Sequence, residues 1–240
     1  AYIVNRYSEK IIETHAKIKI LDKKDSALEL PSAEDLFSSS KINLENEMEV
    51  IRSYSILEKV VQNLNLTISV ESIGTVTKAL IIDYPFSIQS KIRIDSVLKE
   101  SFELNFSEKG LSVINLDNDI EYLFDSFSTF TSSNNLPFDI SSLNNKECLG
   151  KNYIIHLSPV HHVVRDLKKN IIIEPLGRKS DIISIGLNST NSKLAQNIVN
   201  EIVNVFNEDG VKDRQLIHKR TIDFVNSRYF QLSLELDSIE

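Results

Sequence analysis

The sequence predicts an α+β protein with a mixed α/β base, a β-rich insert and a long projecting C-terminal helix. Three observations carry this expectation. Short alternating or aliphatic runs recur in the first and last thirds, at 14–21, 153–157, 171–173 and 181–185. The middle third holds a hairpin pattern, 101–106 and 111–114 around Ser107-Glu108-Lys109-Gly110. From Val211 onward, apolar residues recur at a strict heptad spacing to the end of the chain. The expected organisation is a base from 1–66 and 150–210, an insert at 67–149, and the helix at 211–240.

Residues 14–21 alternate Ala16, Ile18 and Ile20 with His15, Lys17 and Lys19, the period-two signature of a half-buried strand. Residues 22–41 are polar, Ser-rich and contain Pro31, which reads as loop. Asn43 can cap a helix over 43–65, with Glu45, Glu47 and Glu49 at its positive end and a stripe of Val50, Tyr54, Leu57, Val61 and Leu64. On that wheel Arg52 faces away from Val61. Segments 119–127 and 91–98 read as neighbours of the central hairpin, and 131–135 and 141–146 as polar connections. In the last third a strand at 153–157 precedes a short amphipathic helix at 159–169. Strands at 171–173 and 181–185 follow, with Gly177-Arg178-Lys179 as their turn, and their continuous apolar character predicts burial on both faces. Residues 10–21 are expected to pair with strands from 150–189 in one sheet. Thr190 or Asn191 caps the next helix, whose Leu194, Ile198, Ile202 and Phe206 share a face, and Asp209-Gly210 is expected to interrupt it.

Beyond that point Val211, Gln215, His218, Ile222, Val225, Tyr229, Leu232, Leu236 and Ile239 are spaced alternately four and three residues apart. A helix with this seam spans about 40 Å at 1.5 Å per residue, more than a compact base can cover. It carries no stop signal before Glu240 and is expected to continue.

Composition narrows the function. The net charge of −7 and the lack of a long basic run argue against nucleic-acid binding, which needs clustered Lys and Arg to neutralise phosphates. The lone Cys148 excludes an intrachain disulfide and a thiolate metal cluster. No run approaches the roughly 20 apolar residues of a membrane span, and no signal-peptide pattern is visible. The first 24 residues nonetheless carry Arg6, Lys10, Lys17, Lys19, Lys23 and Lys24 against Glu9, Glu13 and Asp22, with Tyr2 and Tyr7 near the start.

Catalytic patterns are missing. The six glycines form no phosphate loop, so no nucleotide binding is expected. Adjacent His161 and His162 point about 100° apart on a helix and cannot share a metal as an i, i+4 pair does. Asp22, Asp25, Glu29, Glu34 and Asp35 read as solvated loop carboxylates. Cys148 has no basic cluster around it to make a thiolate. No cofactor is called for, and the chain does not read as an enzyme.

Several segments together resemble one family. They are Glu13-Thr14-His15-Ala16-Lys17-Ile18, then the helix pattern from Glu47 to Val61 (E-M-E-V-I-R-S-Y-S-I-L-E-K-V-V) and Leu64-Asn65-Leu66. Gly177-Arg178-Lys179-Ser180-Asp181-Ile182-Ile183, Ala195-Gln196-Asn197-Ile198-Val199-Asn200 and Thr221-Ile222-Asp223-Phe224 complete the set. Their order is similar to the extracytoplasmic domain of chain-length determinants, the polysaccharide co-polymerases of Wzz type. It resembles most the relatives fused to a cytoplasmic tyrosine autokinase, the Wzc type. The resemblance covers roughly 10–66 and 150–240; the middle third matches poorly.

The resemblance implies a periplasmic domain held between two transmembrane helices of a bacterial inner-membrane protein. It implies assembly into rings and a part in setting the length or export of capsular or exopolysaccharide. Partners would be further copies of the chain, the polysaccharide or its polymerase and export machinery, and the membrane through flanking segments. Those segments, the kinase and its tyrosine-rich tail are not in this sequence, so the chain resembles an excised domain and kinase activity would lie elsewhere. The basic, tyrosine-bearing start then reads as juxtamembrane. Candidate oligomerisation residues are Glu47, Glu49 and Arg52 on the first long helix, and Val225, Leu232 and Leu236 in the heptad seam. The competing expectation is a periplasmic adaptor of an efflux or secretion system, which requires two antiparallel heptad helices flanked by a lipoyl-like β-domain, whereas one heptad helix is visible in this sequence.

Overall fold

The computed structural model describes residues 11–20, 44–74, 78–91, 99–108, 110–125, 136–141, 145–177 and 180–237. The expected loop at 22–41, the Asn43 cap, the juxtamembrane start, segment 92–98 and Ile239 lie outside them. The chain runs β1 (Ile12–Lys19), α1 (Leu44–Ile51), α2 (Tyr54–Asn63), β2 (Ile68–Ile73), β3 (Lys78–Ile81) and β4 (Ser87–Ser90). It continues through β5 (Glu100–Ser107), β6 (Gly110–Asn115), β7 (Ile120–Phe124), β8 (Phe138–Ser141), α3 (Asn145–Cys148) and β9 (Asn152–Leu157). The last elements are α4 (Val160–Asn170), β10 (Ile171–Pro175), β11 (Ile182–Ser189) and α5 (Ser192–Asp237). The protein is α+β, as the patterning predicts.

Two hydrophobic cores organise the molecule. In the base, an antiparallel sheet of order β1-β11-β10 is covered on one face by α1, α2, α4 and the first half of α5. The alternation in β1 turns Ala16 and Ile18 toward this core, and the register sets Ala16 opposite Ile185 and Ile18 opposite Ile183. The first and last thirds therefore build one sheet. Its other face carries His15, Lys17 and Lys19, which are exposed. The expected two-sided burial of β10 and β11 does not occur: Ile183, Ile185 and Leu187 point into the core, while Ile182 and Ser184 on the opposite face are only half-buried. Aliphatic richness alone does not count the covered faces of a strand. Gly186, on that outer face, leaves room for His15, whose Nδ1 would lie 2.8 Å from a Cβ added there.

The second core belongs to an antiparallel six-stranded sheet of order β3-β2-β9-β5-β6-β7 and a small β4-β8 sheet. Phe102 meets Phe138 edge-on with ring centroids 5.1 Å apart, and Phe86 meets Tyr153 the same way at 5.1 Å. Gly110 closes the predicted β5–β6 hairpin at φ +137°, where a Cβ would collide with the Phe124 carbonyl. Strand β9, in the range read as base, hydrogen-bonds between β2 and β5 in this sheet instead. The chain enters and leaves the insert side by side, for Ser158 N donates to Thr67 O at 2.8 Å. Among the described residues, polar contacts tie insert to base: Asn191 Nδ2 donates to Leu80 O at 3.2 Å, and Lys193 pairs with Asp83 at 2.7 Å.

Two expectations about helices are corrected. The helix over 43–65 is broken at Arg52-Ser53, where Ser53 Oγ accepts from Ile56 N at 3.4 Å and caps α2. The break resets the helical phase, so Ile51, Ile56, Leu57, Val60 and Val61 are buried while Val50 and Tyr54 are exposed. Asp209-Gly210 does not interrupt α5, which is continuous over 46 residues. A lone helical glycine costs only about 1 kcal/mol relative to alanine. Asp209 also anchors the helix by pairing with Lys59 of α2 at 2.6 Å. At its start, Asn191 Oδ1 accepts from Leu194 N at 3.0 Å, so Asn191 is the cap.

Candidate functional site: the projecting helix and its root

The N-terminal half of α5 contributes Ala195, Val199, Ile202 and Val205 to the base core. Beyond Phe206 the same helix leaves the base. Two contacts fix it to α2 near that exit, the Lys59–Asp209 pair and Asn63 Nδ2 donating to Glu201 Oε1 at 2.7 Å. Every side chain from Val211 to Leu232 is exposed. The continuous helix carries the heptad seam outward as an exposed stripe, in which Val225 and Tyr229 are 56% and 75% exposed. Among the described residues nothing packs on this stripe, and the insert does not fold over it. Val225 and Leu232 thus lie on one bare face; Leu236 sits in the last turn of α5, with its side chain outside the described part. No helix among the described residues is long and apolar enough to cross a membrane.

The second group of candidate residues lies on α1 and at its junction with α2. Glu49 is exposed, Glu47 is half-buried, and Arg52 Nη1 stands 3.8 Å from Glu49 Oε1. Arg52 follows the last residue of α1, its N donating to Met48 O at 3.0 Å, so the pair is an i, i+3 contact on the last turn of α1 and does not reach across to α2. The exposed Val50 and Tyr54 flank it. An ion pair this open to water contributes about 0–1 kcal/mol and is screened by salt.

Sequence spacing missed one constellation. Ser101 on β5 lies directly across the ladder from His156 on β9, and Ser101 Oγ is 2.9 Å from His156 Nδ1. Glu71 on β2 brings Oε2 to 3.5 Å from His156 Nε2. Only strand register unites residues this far apart in sequence. The trio has the composition of a nucleophile, a base and an orienting carboxylate. However, Ser101 N donates to Asp117 Oδ2 at 2.8 Å, which puts a carboxylate beside the serine where an oxyanion would need a donor. The arrangement works as a polar clasp between adjacent strands on the sheet face opposite the insert core.

The remaining candidates are local. The His161 and His162 rings lie edge to face, 4.5 Å apart. No group of three or more His, Cys, Asp or Glu able to hold a metal occurs among the described residues. Cys148 is fully buried, its Sγ 3.9 Å from Pro85 O, and burial pushes its thiol above the usual range. Compared with known proteins, the chain matches no family and no curated protein.

Proposed function

We propose that this chain is the periplasmic scaffold domain of an inner-membrane polysaccharide co-polymerase of the Wzz or Wzc type. In this reading it assembles with copies of itself into a ring and helps to control chain length or export of a capsular or exopolysaccharide. Contact with the membrane runs through flanking segments, and the domain itself carries no chemistry. The observation that supports the reading most is the projecting half of α5, an exposed heptad-patterned rod rooted in an α/β base built from the first and last thirds. An uncovered apolar stripe of this length is an aggregation liability for an isolated chain and an asset for an assembling one. The segments that resemble the family fall mostly in that base and on that rod.

The test uses the full-length protein in a cell that makes the polymer. Val225→Asp and Leu232→Asp place a charge in the seam. The expected result is a smaller oligomer in detergent and an altered polymer length distribution, with normal protein levels. Wild-type values for both quantities in both variants would remove the seam from assembly and length control.

A further inference from the structure

The outer half of α5 carries apolar side chains on two sides, with opposite charge beside them. In the heptad, Gln215, Ile222 and Tyr229 take position a, and Val211, His218, Val225 and Leu232 take position d. The flanking e and g positions hold Lys212, Arg214, Lys219 and Arg228, and no carboxylate between Val211 and Ser233. Positions b, c and f, about 130–180° away at 3.5 residues per turn, hold a second exposed apolar set: Leu216, Ile217, Phe224 and Phe230. Both carboxylates of the stretch, Asp213 and Asp223, lie on that back face together with Arg220. Among the described residues the cations of the front face engage locally: Arg214 Nε donates to Gly210 O at 3.0 Å, and Lys212 is 4.0 Å from Glu208.

This pattern discriminates between occupants. Pairing seam to seam with a twin helix sets cation against cation; in the parallel arrangement position g meets e of the partner, which puts Arg214 near Lys219. It also leaves Phe224 and Phe230 bare. A lipid surface, or one covering helix, masks a single side. A rod between two neighbours in a cyclic array uses two different faces, because a heterologous interface joins unlike patches and forms a ring when the rotation between copies closes.

We infer that the outer halves of α5 from successive copies stand side by side in the same direction, the basic seam face of each against the apolar back face of the next, which bears Asp213 and Asp223. The inference rests on the ring reading and names the surfaces that make the ring.

Disulfide trapping on the full-length protein tests it. Chains carrying Val225→Cys are mixed with chains carrying Phe224→Cys and oxidised; His218→Cys with Ile217→Cys repeats the test one heptad earlier. Native Cys148 is buried and stays in place. The expected result is covalent dimers from each mixture and none from any variant alone. Asp213→Lys with Asp223→Lys on the back-face chain should cut the yield severalfold, and Arg214→Glu with Lys219→Glu on the front-face chain should restore it. A covalent dimer of Val225→Cys alone would show twin pairing and overturn the inference. Equal yields with and without mixing would do the same. An oligomeric wild type that gives no cross-link at any pair overturns this contact and leaves the ring reading standing on other surfaces. A wild type that is monomeric in detergent removes both.

Discussion

Ser53 shows how one hydroxyl redirects an element. By accepting from Ile56 N it ends the phase of α1 and starts α2 anew, turning Ile56 and Val60 inward and releasing Tyr54 to solvent. Ser53→Ala should lower stability by about 1 kcal/mol, the usual worth of such a cap. A chemical denaturation midpoint equal to wild type would mean that packing alone sets the break. Cys148 offers a second test. Burial raises its thiol pKa in the folded state, so the folded chain holds its proton more tightly than the unfolded chain. The associated stability is fully present below the ordinary thiol pKa of about 8.5 and is lost as pH rises through the raised value. Burial raises Tyr84 and Tyr153 in the same direction, so Cys148→Ala should flatten only part of the alkaline decline. Urea titrations at pH 7.5 and 9.5 measure the difference; an identical slope in both chains would count against it.

At the scale of the element, α5 joins two regimes in one rod. Its first half is held by the core; among the described residues its second half has contacts within the helix itself, such as Arg214 Nε to Gly210 O and Thr221 Oγ1 to Ile217 O, and the anchors at its root. Gly210 sits at the transition, in helical conformation with open space around it. Gly210→Ala should stabilise the rod by up to about 1 kcal/mol, and Gly210→Pro should cost about 3 kcal/mol or more and kink it. Helical ellipticity and its thermal loss separate these outcomes, and a proline variant of unchanged ellipticity would place the break elsewhere. In contrast, Val225→Asp in the isolated chain should leave the melting of the base within about 0.5 kcal/mol of wild type, since it touches no core. The same substitution matters only where a neighbour makes the stripe dry. Comparing the isolated chain with the full-length protein of the proposed function therefore separates a folding defect from an assembly defect.

For the whole molecule, the base and the insert have separate cores, and the chain crosses between them at the adjacent Thr67 and Ser158. Such an inserted unit with neighbouring termini is expected to fold by itself. Residues 67–158 expressed alone should melt cooperatively; a spectrum of an unfolded chain would show that the base templates the insert. Deleting residues 11–20 removes β1, exposes the edge of β11 and uncovers the core beside Ile183 and Ile185. The base should then unfold while the insert keeps its aromatic near-ultraviolet signal. One cooperative loss of both signals would show that the two cores are energetically a single unit.

Much of this architecture is written locally. Period two in β1, the β5–β6 hairpin with its obligatory glycine, and the 3.5-residue seam of α5 are patterns over neighbouring residues, and local sterics and hydrophobic periodicity specify them directly. The candidate residues Val225 and Leu232 were legible for the same reason, since position on a helix face follows from spacing alone. Partnerships across the chain were not. That β9 joins β2 and β5 while β1 pairs with β11, that the face of β11 bearing Ile182 is only half-buried, and that Ser101 meets His156 are matters of strand register and layer packing. They depend on which distant surface offers the best-matched apolar face and free backbone groups, a competition that no local window contains. The continuity of α5 through Asp209-Gly210 belongs to the same class. A weak local break is overridden by a core on one side of it and by Lys59, contributed by a helix near the other end of the sequence.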